Sequence, residues 1–232
     1  MPPKLSLRKT SLVDYPGRIS AVFFFCGCNL RCPWCHNREL ITGEVTGLAS
    51  LETAFAHIKK RRNVLGGVVL SGGEPCLQNE LADIIREIKK IPLSVKLDTN
   101  GIFPDVLAEL FKNANTRPDY IALDLKLAPA RYSELMPGAG DCGSKLIQSA
   151  ALIREAQIEH EYRTVALPGA FISEKDLEEL APLTDDAPWY FAPFRGGNCL
   201  DPTWNGLEEN KARAEELAAK ARELGKNALF RL

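Results

Sequence analysis

Six times along the chain a short strand-like run, largely apolar except for the fifth, ends in a polar turn and is followed by an amphipathic helical pattern. The runs cover residues 19–26, 67–70, 93–97, 120–123, 158–166 and 189–194. Continuous apolar runs of this length read as strands buried on both faces of a parallel sheet. The helices between them show apolar stripes at helical spacing, such as Leu51, Ala54, Phe55 and Ile58, or Leu81, Ile84, Ile85 and Ile88. Ser50 and Ser173 are placed as N-caps, and Pro104 suits a first helical turn. Strand and helix in strict alternation predict an all-parallel α/β sheet with right-handed crossovers. Six units are too few to close an eight-stranded barrel. The expected fold is therefore a splayed, partial (β/α)6 barrel, with residues 1–232 as one domain. A last helix over about 207–224, with Ala214, Leu217, Ala221 and Leu224 on one stripe, precedes a tail able to add a short strand.

The first run feeds directly into Cys26-Gly27-Cys28-Asn29-Leu30-Arg31-Cys32-Pro33-Trp34-Cys35-His36-Asn37. Cys28, Cys32 and Cys35 are spaced C-x3-C-x2-C, so three thiolates from one short loop can converge on one metal centre. A cuboidal 4Fe-4S cluster needs one ligand per iron, so three cysteines leave one iron open to a chelating substrate or cofactor. With Cys26 included the loop offers four thiolates in ten residues, which also suits a structural zinc site or an electron-transfer cluster. Cys26 continues an apolar strand and is read as a small buried side chain at its end.

Chemistry-bearing residues recur at the ends of the later strands. The second run stops at Ser71-Gly72-Gly73-Glu74-Pro75, where two glycines let backbone approach a ligand and Glu74 adds a carboxylate. The third ends in Asp98-Thr99-Asn100-Gly101 and the fourth in Asp124-Leu125-Lys126. Alternation along a strand puts Asp124 and Lys126 on one face. In barrels the C-terminal strand ends are where ligand sites are built. Arg163, partway along the fifth run, needs a carboxylate partner if it points inward, and a ligand carboxylate is one candidate. His160 reads as a solvated or paired edge residue.

Composition narrows the function classes. The formal net charge is -1 and the basic residues are dispersed, so there is no electrostatic footprint for nucleic acid or an acidic membrane surface. The densest basic run, Lys59-Lys60-Arg61-Arg62, falls at a helix end that suits positive charge. No apolar run nears the roughly 20 residues a membrane-spanning helix needs. Seven cysteines, four of them in one loop and Cys76, Cys142 and Cys199 scattered elsewhere, fit a metal site in a reducing compartment better than a disulfide framework, so a cytoplasmic protein is expected.

Together, the cysteine loop and the Gly72-Gly73-Glu74 turn one βα unit later resemble the radical S-adenosylmethionine (radical SAM) superfamily. Nearly the whole chain takes part. The resemblance is closest to the glycyl-radical-enzyme activating enzymes, in particular the anaerobic ribonucleoside-triphosphate reductase activating proteins. It is carried by Ser11-Leu12-Val13-Asp14-Tyr15-Pro16-Gly17, by Cys35-His36-Asn37, by Asp98-Thr99-Asn100-Gly101 and by Asp124-Leu125-Lys126.

The resemblance implies a 4Fe-4S cluster on Cys28, Cys32 and Cys35 whose open iron takes S-adenosylmethionine. Gly72, Gly73 and Glu74 are implied to hold the methionine ammonium, and Trp34 to lie by the adenine with His36 close by. Asp98, Thr99 and Asp124, with the backbone near Ala122, match positions that hold a monovalent cation against the methionine carboxylate. Asn100, Lys126 and Arg163 complete the implied cofactor contacts. About 35 cysteine-free residues separate Cys35 from Ser71, so one cluster is expected. Pro193-Phe194-Arg195 stands where pyruvate formate-lyase activating relatives have a Pro-aromatic-His segment, which favours the reductase branch. The implied partners are a glycyl-radical enzyme and a flavodoxin or ferredoxin electron donor. A pyruvate formate-lyase type partner, or a small-molecule substrate, are the alternatives.

Overall fold

The computed structural model describes residues 3–136, 140–169, 171–208 and 210–232. It is an α/β fold of the partial-barrel class. The chain divides into two compact units. The first takes in the chain up to Asn29, Glu39–Thr99 and Asp105–Ile121; the second takes in Leu30–Arg38, Asn100–Pro104 and the chain from Ala122 onward.

The first unit is built on β1 (Lys4–Ser11), β2 (Ser20–Phe25), β3 (Ala49–Ser50), β4 (Gly67–Gly72) and β5 (Ser94–Thr99), with β6 (Tyr120–Asp124) beginning in it. β2, β4 and β5 pair in parallel, with Phe23 opposite Leu70 and Leu70 opposite Leu97. Those three side chains are fully buried, as continuous apolar strands covered on both faces should be. Helix α2 (Leu51–Arg61) starts at Ser50, whose hydroxyl accepts the Thr53 N–H, and α3 (Leu81–Lys89) buries Leu81, Ile84, Ile85 and Ile88. Helix α4 (Pro104–Phe111) opens at Pro104.

Two features correct the sequence expectation. The sheet is not all-parallel: β1 runs antiparallel to β2, with Leu5 opposite Phe25, and β3 is antiparallel to β1. The polar stretch after the cysteines also contains a short helix, α1 (Arg38–Thr42), which buries only Leu40.

The second unit contains α5 (Cys142–Glu155), β7 (Glu159–Ala166), α6 (Glu174–Leu180), β8 (Trp189–Pro193), α7 (Lys211–Glu223) and β9 (Ala228–Phe230). β7, β8 and β9 are parallel, so the tail does add a strand. Ser173 and Asp176 form a reciprocal capping box on α6, which satisfies two otherwise orphaned donors. α7 buries Ala214, Leu217, Ala218 and Ala221. Leu224, expected on that stripe, is 42% exposed because the helix stops before it. His160 is paired, as expected, with its Nε2 3.2 Å from Asp185 Oδ1. Among the described residues no helix is long and apolar enough to cross a membrane.

The fully buried Trp189 of β8 donates its indole N–H to Thr164 Oγ1 on β7 at 2.9 Å, and Thr164 in turn donates to Leu125 O at 2.8 Å. Thr164→Val leaves the indole N–H and a carbonyl unanswered in the core, at a cost of about 1–3 kcal/mol. Urea denaturation should show that loss for Thr164→Val and a smaller added loss when Trp189→Phe is combined with it. Equal stability of Thr164→Val and the parent would contradict the role given to this chain of bonds.

Candidate active site

In the first unit, β2 delivers the start of the cysteine loop and β4 the glycine turn, and backbone contacts join them. Glu74 N–H donates to Gly27 O and Gly73 N–H to Phe25 O, each at 2.9 Å. A Cβ on Gly73 would stand 1.8 Å from Gly27 O, and one on Gly72, whose φ is +114°, 2.5 Å from Phe25 N. Only glycine permits this approach at either position. Gln78 Nε2 adds a bond to Cys26 O at 3.2 Å. Cys26 itself is half-buried, which corrects its reading as a small buried side chain at the strand end, since β2 stops at Phe25 one residue before it. Cys28 follows, its Sγ 3.8 Å from Asn29 Oδ1.

Glu74 is 1% exposed. Its Oε1 accepts the Cys76 N–H at 3.0 Å and the Thr99 hydroxyl at 2.9 Å, so the carboxylate caps the turn of 3-10 helix Pro75–Leu77 and ties β4 to the end of β5. Burial, and then the adjacent Glu74 charge, push the Cys76 thiol well above its ordinary pKa, which keeps it protonated and unsuited to ligate metal. Asp98 accepts from Ser71 Oγ at 3.0 Å through Oδ2 and from Lys96 Nζ at 2.6 Å through Oδ1. Lys96 was not singled out from the sequence, although it stands two residues from Asp98 on the same strand face, the spacing that flagged Asp124 and Lys126.

The second unit holds the rest of the loop. Cys35 N–H donates to Cys32 O at 3.0 Å, closing a tight turn. Arg31 N–H donates to Leu135 O at 2.8 Å, Leu200 N–H to Cys35 O at 3.0 Å and Asp201 N–H to Pro33 O at 2.9 Å, so two later segments of the chain grip the loop. Trp34 is buried against Phe171 and Trp204, with ring centroids 5.6 Å away in each case. His36 is exposed and lies over Phe194 at 6.0 Å. Partial burial and the nearby Arg195 guanidinium lower its pKa, favouring the neutral imidazole. The aromatic residues Phe171 and Trp204 carry no motif, so sequence reading passes over them.

Asp124 ends β6. Its Oδ1 accepts from Arg163 Nε at 2.8 Å and its Oδ2 from Lys126 Nζ at 3.2 Å. Arg163 thus has a carboxylate partner inside the protein. Burial alone would raise the Asp124 pKa, but Arg163 and Lys126 outweigh it and hold the carboxyl at about 2. Burial opposes the charge on Lys126 too, yet Asp124 and the neighbouring Cys32, Tyr132 and Cys35 raise its pKa. Tyr132 fixes this turn, accepting the Lys126 N–H at 3.1 Å and donating to Asp124 O at 3.3 Å. For Cys35, burial raises the thiol pKa while the Asn37 backbone and Lys126 pull against it. Asn100 Oδ1 accepts the Ile102 N–H at 3.1 Å in a local turn.

All seven cysteines are thiols. Among the described residues no three His, Cys, Asp or Glu side chains stand gathered as a metal-binding group. The ligand set is therefore argued from donor chemistry: thiols spaced within one loop, a lysine beside Cys32 and Cys35 whose charge favours thiolates, and backbone bonds that hold the loop. That chemistry fits an iron-sulfur cluster.

The family model of the radical SAM superfamily matches residues 22–181. The chain belongs to that superfamily, and it is a radical SAM enzyme with relatives among glycyl-radical enzyme activating enzymes. A protein of Methanocaldococcus jannaschii, provisionally named a glycyl-radical enzyme activating enzyme, is 33% identical over 94% of this chain and 88% of its own length. The pyruvate formate-lyase 1-activating enzyme of Escherichia coli K12 is 29% identical over 78% of this chain and 74% of its own. A GTP 3′,8-cyclase of Microcystis aeruginosa is 30% identical over 80% of this chain and 60% of its own. Among solved structures, Streptococcus suis SuiB bound to S-adenosylmethionine superposes with a TM-score of 0.65 at 16% identity, covering 88% of this chain. The chain spans 48% of that protein, and the likeness is one of fold.

The carboxyl of Asp124 sits below its ordinary value, so its ionic pairs stabilise the fold above about pH 4 and are lost as pH falls toward 2. Thermal midpoints measured across that window should fall more steeply for the parent than for Asp124→Asn. Parallel acid limbs would show that the pairing adds nothing to stability.

Proposed function

We propose that Cys28, Cys32 and Cys35 hold a 4Fe-4S cluster, that S-adenosylmethionine binds beside it, and that the protein installs a glycyl radical on an anaerobic ribonucleoside-triphosphate reductase. The observation that carries this reading is the cysteine loop seated against the Gly72-Gly73-Glu74 turn through Gly27 O. The relative from M. jannaschii, similar over nearly the whole chain, supports it. Held by Cys28, Cys32 and Cys35 and reduced by an external flavodoxin or ferredoxin, the cluster would supply the electron that splits S-adenosylmethionine into methionine and a carbon radical able to take hydrogen from a glycine Cα of the partner.

The chain's own residues bind and orient. In this reading Glu74, already buried and fixed by Thr99 and Cys76, receives the methionine ammonium, and Gly72 and Gly73 let the turn that carries it press against the cysteine loop. Asp124 is met by two positive groups, so a ligand carboxylate is the matching charge there. Trp34 offers a ring held by Phe171 and Trp204 for the adenine, and His36, over Phe194 and favoured as the neutral imidazole, is the second ring assigned to it. Cys26 takes no part in ligation. The thiol chemistry suits the reducing cytoplasm.

Two relatives favour a different partner: the pyruvate formate-lyase activating enzymes of E. coli, above, and of Clostridium pasteurianum, the latter 32% identical over 76% of this chain. The cyclase relative keeps a small-molecule substrate in view. Arg195, exposed after β8, is the feature that favours the reductase.

Anaerobic reconstitution should give a brown protein with about four irons per chain; Cys32→Ala should abolish the cluster and Cys26→Ala should keep it. Reduced protein with S-adenosylmethionine and an anaerobic ribonucleotide reductase should produce a glycyl-radical doublet by electron paramagnetic resonance. A silent reductase beside an activated formate-lyase partner would replace this reading with the second; deoxyadenosine formed with a metabolite alone would favour the third.

A further inference from the structure

Lys96 lies in the middle of β5 between Val95 and Leu97, and it is 1% exposed. Lysine is a costly residue to bury, and it stays charged inside a protein only against a fixed counter-charge. Here that counter-charge is Asp98, whose Oδ1 is 2.6 Å from Nζ, while the Tyr120 ring lies 5.9 Å from the ammonium. Ser71 Oγ donates to the other carboxylate oxygen at 3.0 Å. Both oxygens of Asp98 are thus engaged by the first unit's own side chains, and its charge is offset before any ligand arrives.

The resemblance to activating enzymes assigns Asp98, Thr99 and Asp124 to a monovalent cation. The charges of this chain do not fit one. An alkali ion at Asp98 would shed its hydration for a carboxylate already neutralised by Lys96, and would meet that ammonium as a like charge. In the second unit, considered separately, Asp124 already accepts from both Arg163 and Lys126, so its charge too is offset before any ligand arrives.

We propose that Lys96 is the resident counter-ion of Asp98, a positioning residue that stands in for an inorganic cation, so that this chain binds its sulfonium cofactor without an alkali ion. The inference rests on the cofactor site proposed above. The feature is visible in the sequence as Lys96-Leu97-Asp98 at the end of a strand.

Thallous ion, an NMR-active substitute for potassium, tests the assignment without S-adenosylmethionine. Thallium NMR titration of the cluster-loaded parent should show no saturable site at millimolar concentration. Lys96→Met should create one, and adding Asp98→Asn should remove it again. In parallel, the affinity of the parent for S-adenosylmethionine should be the same in potassium and in tetramethylammonium chloride. That of Lys96→Met should fall by about tenfold in tetramethylammonium, the size of a lost charged hydrogen bond, and recover in potassium. A saturable thallous site in the parent that Asp98→Asn abolishes would overturn the proposal, as would a parent affinity that needs potassium. If Lys96→Met does not fold, these two measurements on the parent still decide. Absence of S-adenosylmethionine binding in every salt would overturn the proposed function, while the thallous titration would still decide the role of Lys96.

Discussion

The carbonyl of Gly27 and the backbone of residues 73 and 74 are pressed together so closely that no side chain fits between them. Glu74 donates its N–H to that carbonyl at 2.9 Å, and a methyl group on Gly73 would collide with it at 1.8 Å. The contact is possible because β2 and β4 are parallel and in register to their last residues, with Phe25 opposite Gly72, so both strands release their loops at the same level. The first cysteines and the Glu74 carboxylate are therefore held by one piece of backbone. The hydrogen bonds that Glu74 accepts from Cys76 N–H and the Thr99 hydroxyl then extend this rigid joint to the end of β5. A site that must place a ligand's charged end accurately gains from such a scaffold, since little of it has to be ordered on binding.

Charge is arranged by one local rule used twice. Lys96 and Asp98, and Asp124 and Lys126, each sit two residues apart on a strand end, where alternation brings them to one face. The outcomes differ with burial. Lys96 is enclosed and forms a neutral pair with Asp98. Asp124 and Lys126 keep about a quarter of their side-chain surface exposed, and Arg163 adds a second cation. One carboxylate is thus met by a single buried ammonium, and the other by a guanidinium and an ammonium together.

Much of this was legible in the sequence because the signals are local. Apolar runs ending in Gly72-Gly73-Glu74, Asp98-Thr99 and Asp124-Leu125-Lys126 mark strand ends directly, and Ser50 and Ser173 cap helices as serines do. What escaped depends on distant partners. β1 shows only Leu5 and Leu7 alternating with polar residues, and its antiparallel pairing with β2 is set across a turn that the sequence presents as a polar lead-in. Phe171 and Trp204 are separated from Trp34 by more than a hundred residues, so no spacing rule joins them to the cysteine loop. Arg163 was expected to seek a carboxylate, but only the fold brings Asp124 to it. Lys96 is a different case: the spacing that exposed Asp124 and Lys126 was present, and the residue was hidden by the apolar strand around it.

The account stands or falls on three cysteine ligands and one open iron. Mössbauer spectroscopy of protein reconstituted with iron-57 measures this most directly. The prediction is that one iron of the four changes its isomer shift and quadrupole splitting when S-adenosylmethionine is added, and that the other three do not. Four irons indifferent to S-adenosylmethionine, or a cluster lost in Cys26→Ala, would mean that the protein itself supplies the fourth ligand, and would contradict the account.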